Sequence, residues 1–561
     1  MRFSRRQVFF LLGFIPLLFL AAFYVLPLGV VFQKALEGFQ ESFLNNGLLR
    51  KIGEPLVFTV YQAGLSVILT VLVGFPIAYV FSHFEFKGKG FFRTVVTLPF
   101  ILPTVVVAAA FNSLLGSNGW LNLLMMHVFN LESPPIQIMN SLGIILLAHV
   151  FYNTSVFVRV VGAAWAQLET EQEQAASTLG ATAWQRFWLI ALPLLKQSII
   201  SAVLMVFLFD FTSFGVILLL GGPAFTTLEV EIYLQTTQML NLPLAGILSV
   251  VQMVVTFLIS WFMLRDHHTG MITFLPDIKN ERLRRPSSGS QKILLGVLLV
   301  FLFLFFVLPE LSLLLRSLVI VEADSTASGA ITAKFTLDFY KELFQNTRGS
   351  LFYISPFEAL KNSISYALST TIIAGILGII AAYGLLNFHK AKIVRALVIL
   401  PLGTSSVTLG LGFLLAFTRL AFFQQFPQIL IPIAHTLVAL PVVINTIYPA
   451  FSVIPENLRS AAGNLGATPI KILQKIDLPL IRRSLLVGAL YAFILSLGEF
   501  GATSFLTRPE YPTMPVAIYR YLNLPGALNY GQAMAMACIL LAVCALSMLL
   551  MERFMIKDRK S

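Results

Sequence analysis

Two carboxylates, Asp210 and Glu499, stand inside long apolar runs of this 561-residue chain. An acid in such a place is costly unless it meets a partner or a water-filled path, which makes both candidates to face a cationic solute. Thr212 and Ser213 lie beside Asp210, while Thr404, Ser405 and Ser406 follow Pro401 in another run. Their hydroxyls could line the same path or satisfy carbonyls freed near the proline. The competing reading is structural, with each acid bonding a hydroxyl or a freed backbone group and holding helices together. His149 and His435 occupy equivalent places in two runs, which suits a structural role first and a gate second. Catalysis has no candidate here. No G-x-x-x-x-G-K-[ST] phosphate loop occurs, so the chain cannot be its own ATPase. The adjacent His267 and His268 lack further ligands for a metal, and Cys538 and Cys544 share the last apolar run as packing residues. No catalytic residue, metal site or cofactor is expected in the chain.

The elements that position these residues must sit in lipid. Apolar residues make up 57% of the chain and charged residues only 11%, against about 25% charged in soluble domains. The mean hydropathy is +0.84. A helix needs about 20 apolar residues to cross the hydrocarbon core, and twelve such runs are legible. They cover about 8–32, 56–82, 94–115, 140–165, 197–221 and 244–264, then about 292–317, 358–386, 394–417, 428–452, 484–507 and 533–552. Long Leu/Val/Ile/Phe runs exclude the short alternating segments of a barrel. The first run exceeds the length of a signal peptide and lacks a convincing cleavage site, so it reads as a retained helix.

A net charge of +12 raises the question of nucleic acid. The basic residues do not form one patch with stacking aromatics. They punctuate helices instead, as at Lys87, Lys89 and Arg93, at Arg282, Arg284 and Arg285, and at Arg482 and Arg483. With both termini on the cytoplasmic side, this is the positive-inside bias of a multi-pass protein in the cell membrane.

The second half repeats the first at an offset of 286 residues. His149 aligns with His435, Gly180 with Gly466, Pro193 with Pro479, Pro223 with Pro509 and Tyr233 with Tyr519. An even number of helices per unit keeps both copies in one orientation, related by a pseudo-two-fold axis along the membrane normal. The domains expected are a first unit over 1–265 with its core at about 56–264, a polar linker over 266–291, and a second unit over 292–561 with its core at about 358–552. The fold class is all-α, a polytopic membrane protein of about twelve helices in two homologous six-helix halves.

The best-matched stretch is LGATAWQRFWLIALPLLKQS (179–198) against LGATPIKILQKIDLPLIRRS (465–484), in the inside loop between the fourth and fifth helices of each unit. Its pattern is A-A-x-x-L-G-A, carried by Ala175, Ala176, Leu179, Gly180 and Ala181 and by Ala461, Ala462, Leu465, Gly466 and Ala467. The alanines favour a short helix, the glycine ends it, and a second amphipathic stretch leads to the proline that starts the next membrane helix. Such a helix–turn–helix at the membrane surface could dock a cytosolic partner and move the helices joined to it. These segments resemble the EAA motif of type I ABC importer permeases, with the MetI-like fold. The leading Glu position holds Gln174 in one copy and Ser460 in the other, with Glu173 next to the first.

The resemblance implies a permease fed by an extracytoplasmic solute-binding protein and driven by two copies of an ATP-binding subunit, which bind the ATP and Mg. Coupling would run through Glu173 and the two A-A-x-x-L-G-A segments to Pro193 and Pro479. Two permease units fused in one chain resemble the thiamine and ferric-iron permeases. FTSFGVILLLGGPAFTTLEVEIY (211–233) is similar to the thiamine type, and SLGEFGATSFLTRPEYPTMPVAIY (496–519) to a pattern shared with sulfate, molybdate and iron relatives. Thiamine is the leading expectation; ferric iron, sulfate, molybdate or a polyamine stay open. The loops 222–243 and 508–532 would meet the lobes of the binding protein, and 318–357 would add asymmetric contacts or serve as a spacer. Two other classes remain. An ion-coupled secondary transporter predicts midplane ionisable groups and broken helices; a membrane-embedded enzyme predicts a polar cluster at one depth, which the sequence does not show.

Overall fold

The computed structural model describes residues 14–42, 47–168, 170–265, 283–323, 331–345, 355–386 and 400–556. His267 and His268 lie outside these residues, as do 394–399 at the start of the expected ninth helix. Among the described residues nine helices are long and apolar enough to cross a membrane, or up to eleven if two bent pairs each count as one span.

In the first unit these are α1 (Phe14–Gln40) and α2 (Leu48–His83), then the pair Lys89–Ile101 and Thr104–Phe129, bent by 113°. Of this pair, α3 is Lys89–Thr97, α4 is Thr104–Leu115 and α5 is Trp120–Phe129. Next come α6 (Leu142–Gln167), the loop helix α7 (Thr170–Thr178), α8 (Trp184–Phe211), the short α9 (Gly215–Leu220) and α10 (Leu228–Thr237), and α11 (Leu242–Arg265). The second unit repeats the order with α12 (Gly289–Arg316), α13 (Pro356–Leu385), α14 (Ser406–Phe417), α15 (Pro427–Val453), the loop helix α16 (Glu456–Asn464), α17 (Pro469–Leu480), α18 (Arg482–Gly498), α19 (Thr503–Leu506), α20 (Met514–Asn523) and α21 (Ala527–Ile556).

Several expected spans are broken. The run at 94–115 does not form one straight helix, because Pro103 has no N–H to continue the ladder and α4 restarts behind it. The run at 394–417 is described only as a short turn over Leu400–Gly403 followed by α14, whose 12 residues cover about 18 Å. The runs at 197–221 and 484–507 also break, at Thr212–Phe214 between α8 and α9 and at Glu499–Ala502 between α18 and α19. Broken helices therefore do not separate this chain from a secondary transporter.

Pro193 and Pro479 do not start the fifth and eleventh helices as expected. Each sits just after a wide π turn, Phe187–Ala191 or Leu473–Asp477. The same device precedes Pro27 and Pro309, at Ala21–Val25 and Phe303–Val307. A proline inside a helix removes one hydrogen bond and crowds the carbonyl four residues back; a widened turn makes room for its ring. In the first unit α8 runs through Pro193, whereas in the second α17 and α18 meet at 79° around Ile481.

Each unit is built on one helix triplet, α2, α6 and α8 or α13, α15 and α18. The leading helices cross over: α1 packs on α11 and on α14 of the second unit, while the end of α12 packs on α4 of the first. Phe151 stacks on Phe306 with ring centroids 5.4 Å apart, and Ser113 Oγ meets Ser312 Oγ at 2.6 Å. The end of the linker is docked as well, since Arg284 exchanges backbone hydrogen bonds with His83 and Glu85. Among its described residues the loop 318–357 departs from the all-α expectation by one antiparallel strand pair, β1 (Val319–Ala323) with β2 (Ile331–Phe335).

Candidate functional site: coupling loops and the helix breaks

The A-A-x-x-L-G-A pattern is the sequence of a Schellman cap. Gly180 has φ +84° and Gly466 φ +81°, the left-handed region that glycine adopts without strain. In the first loop Ala181 N donates to Ala176 O at 3.0 Å and Gly180 N to Ser177 O at 3.1 Å. In the second, Ala467 N donates to Ala462 O at 3.0 Å and Gly466 N to Gly463 O at 2.9 Å. These are the two bonds that close a Schellman motif, with small alanines at the positions whose side chains meet across it. Leu179 and Leu465, just before the glycines, are 88% and 89% exposed. An apolar side chain held in water on a rigid turn suits a partner's surface. Trp184 and Leu189 after the first turn and Ile470 after the second are exposed as well. Glu173 lies on α7, but its side chain is outside the described residues.

Both loops are anchored on an aromatic residue at the end of the preceding helix, Trp165 or Phe451, the latter 5.5 Å from Tyr383, but the surroundings differ. Trp165 at the end of α6 is buried among Phe75, Tyr79, His83 and Phe187, with centroids between 5.0 and 6.2 Å. In the second unit Arg459 on α16 reaches Asp477, Nε to Oδ1, at 2.9 Å, with Nη1 at 3.3 Å from Glu456 and Nη2 donating to Phe451 O at 3.1 Å. Asp477 is fully buried. Burial opposes the guanidinium's charge, yet the hydrogen bond and charge of Asp477 hold Arg459 above its ordinary pKa.

The structure brings the intramembrane acids onto the two histidines. Asp210 Oδ1 accepts from Asn153 Nδ2 at 2.6 Å and lies 3.4 Å from His149 Nδ1, while His149 Nε2 meets Ser213 Oγ at 2.8 Å. Gln62 Nε2 satisfies the Asp210 carbonyl at the break, at 2.9 Å. In the second unit His435 Nδ1 meets Ser496 Oγ at 2.7 Å, and its Nε2 lies 2.8 Å from Thr503 Oγ1 and 3.3 Å from Glu499 Oε2. Glu499 caps α19, accepting from Ala502 N at 2.9 Å and Thr503 N at 3.0 Å. Both carboxylates are buried and bonded beside the helix breaks.

The hydroxyls past Pro401 are also engaged. Thr404 Oγ1 meets Tyr24 Oη of α1 at 2.6 Å. Ser405 Oγ accepts from Val407 N and Thr408 N as the cap of α14 and donates to Glu229 Oε2 at 2.6 Å. A Cβ added to Gly501 would fall on Ser406 Oγ, and one added to Gly215 on Thr104 Oγ1. That contact is why glycine follows phenylalanine at both breaks. Thr212 Oγ1 turns back to Leu208 O at 2.9 Å.

Sequence reasoning missed several residues. Glu229 is fully buried between Ser405 and Gln252 Nε2, joining the two units. The segments 222–243 and 508–532, expected as outer loops, fold inward as α10 and α20, because Leu228 N finds Thr59 Oγ1 at 2.9 Å and Met514 N finds Ser363 Oγ at 2.8 Å. Arg459 and Asp477 carry no sequence signal as a pair. Phe214 with Phe500, and Tyr233 with Tyr519, recur at the repeat offset, which was the available signal for the ring contacts taken up below. Among the described residues no His/Cys/Asp/Glu group could hold a metal ion.

Residues 70–268 and 374–555 each match the family model of the binding-protein-dependent transport system inner membrane component. The chain belongs to that family. It is thus a multi-pass membrane subunit of a transport system that works with a binding protein and with ATP-binding subunits, and the transport subunit itself is not an enzyme. Among curated relatives, the thiamine transport system permease protein ThiP of Haemophilus influenzae is 26% identical over 548 residues, 95% of this chain and 94% of the relative. ThiP of Brucella abortus is 25% identical over 504 residues, 88% of this chain and 86% of the relative. The sulfate transport system permease protein CysW of Synechococcus elongatus is 31% identical over 208 residues, 37% of this chain and 71% of the relative. Family membership, rather than any feature of the helix breaks, disfavours the secondary-transporter reading.

Proposed function

We propose that this chain is the permease of an ATP-driven thiamine importer. The observation that carries the coupling half is the identical Schellman geometry of the loops at Gly180 and Gly466, each presenting an exposed leucine. The solute rests on relatives that match nearly end to end and are thiamine permeases. The termini and both loops face the cytoplasm, where two copies of an ATP-binding subunit hold ATP and Mg. A solute-binding protein docks on the opposite face. ATP binding draws the loops together, α6 and α8 move with one and α15, α17 and α18 with the other, and the cavity opens outward. Hydrolysis resets it.

Gly180→Val with Gly466→Val tests the coupling. A β-branched residue at positive φ is strained by about 1–2 kcal/mol at each site. We expect membrane insertion to survive and substrate-stimulated ATP hydrolysis by the reconstituted complex to vanish; normal stimulation would sink the assignment. For the solute, uptake of labelled thiamine into proteoliposomes is expected, and ATP-dependent uptake of ferric iron or sulfate in its place would overturn it.

A further inference from the structure

Four aromatic rings from symmetry-equivalent positions meet where the two units face each other. Phe214 and Phe500 stack with centroids 5.4 Å apart and planes 24° apart. Each leads to a tyrosine of its own unit, Phe214 to Tyr233 at 5.3 Å and Phe500 to Tyr519 at 5.5 Å. Tyr233 also meets Phe505 of the opposite unit at 5.5 Å. Phe214 and Phe500 are only 5% and 3% exposed. Since both pairs are related by the internal repeat, the stack lies on the pseudo-two-fold axis. A path along that axis must pass through it.

Position and chemistry together point to a gate. The phenylalanines stand at the helix breaks between α8 and α9 and between α18 and α19, where few ladder bonds resist rotation. The tyrosines stand on α10 and α20, short helices that follow those breaks. An apolar constriction of this kind blocks ions by excluding water. Separation of the units would unstack the pair and open the axis. Ring faces also attract a cation stripped of water, whereas Asp210 and Glu499 are turned away into the histidine clusters.

We infer that Phe214, Phe500, Tyr233 and Tyr519 form the closed gate of the pathway, and that their ring faces favour passage of an organic cation over an anion. The second clause rests on the thiamine reading; the first does not. The test uses the complex with its ATP-binding subunits in proteoliposomes. Without ATP or binding protein, Phe214→Ala with Phe500→Ala is expected to leak both tetraethylammonium and sulfate at least about tenfold faster than the parent, because the constriction can then wet. Phe214→Leu with Phe500→Leu keeps the apolar barrier and should stay tight to both ions, while ATP-driven thiamine uptake falls about fivefold. Phe214→Tyr with Phe500→Tyr should restore it. Co-purification with the ATP-binding subunits reports folding; should the double alanine variant fail it, Phe214→Ala alone is read in the same way. An assembled alanine variant that stays tight to both ions overturns the gate, and leucine variants that import thiamine at the parent rate overturn the cation preference. Leak without thiamine uptake by the parent would leave the gate standing and remove the solute reading.

Discussion

The first unit holds His149 between Asp210 and Ser213, and the second holds His435 between Ser496 and Glu499. Position 210 corresponds to 496 and position 213 to 499, so the acid and the hydroxyl have exchanged places along the helix. Three residues apart, one on the last turn of the helix and the other in the break that follows, the two positions reach the same imidazole. What both units share is one carboxylate and one hydroxyl exchanged about each histidine at the end of the broken helix, with Thr503 Oγ1 as a second hydroxyl on His435. A carboxylate at one fixed depth, as a solute-binding acid would need, is not what repeats. The loops teach the converse. Their backbone is identical to the hydrogen bond, while the anchor is a large aromatic cluster around Trp165 in one unit, and in the other the Tyr383–Phe451 contact with the Arg459–Asp477 pair added. The turn geometry is common to both units; the means of holding it is free to differ.

The largest break in that comparison should come from Asp477→Ala, which leaves Arg459 buried with the exposed Glu456 as its charged partner beside the Phe451 carbonyl. Loss of one member of a buried pair costs about 3–5 kcal/mol. Hydrogen exchange should rise across 456–477 and stay unchanged across 170–191; an equal rise in both loops would show that the anchors are shared. Trp165→Ala should do the reverse, loosening the first loop alone at a cost of about 3 kcal/mol, read by the same exchange experiment. A smaller effect is expected from Asp210→Ser, about 2 kcal/mol from the hydrogen-bonding groups it leaves unpaired. Adding Ser213→Glu copies the second unit's arrangement and should recover most of the thermal stability of the detergent-solubilised complex. Additive losses in this cycle would mean that the exchange of acid and hydroxyl is incidental. Least affected should be Ser405→Ala, which removes the cap of α14 and a bond to Glu229 for about 1 kcal/mol. A melting temperature equal to the parent's would show that this cross-unit bond contributes nothing.

Most of the helix positions, the repeat and both loops are legible in the sequence. The loops are legible because a Schellman cap is written within six residues, so A-A-x-x-L-G-A determines its own turn. The breaks are not. Thr212–Phe214 and Glu499–Ala502 lie inside runs as apolar as any unbroken helix, and what lets the chain stop there is Gln62 reaching the Asp210 carbonyl or Glu499 folding onto α19. Arg459 gave no sign of seeking Asp477 across the turn between α16 and α17.

By itself the sequence determined that lipid is the solvent, that one unit occurs twice in parallel, and that each unit carries a rigid turn with a leucine at its tip. Hydropathy and hydrogen bonds within a few residues settle those features. Only the tertiary structure decided that the buried acids join helices, that α1 and α12 each pack on the opposite unit, and that Phe214 meets Phe500 on the axis. Those outcomes depend on which surfaces of distant helices come together, and an apolar run looks the same in sequence whether it faces lipid, a neighbouring helix or its own symmetry mate.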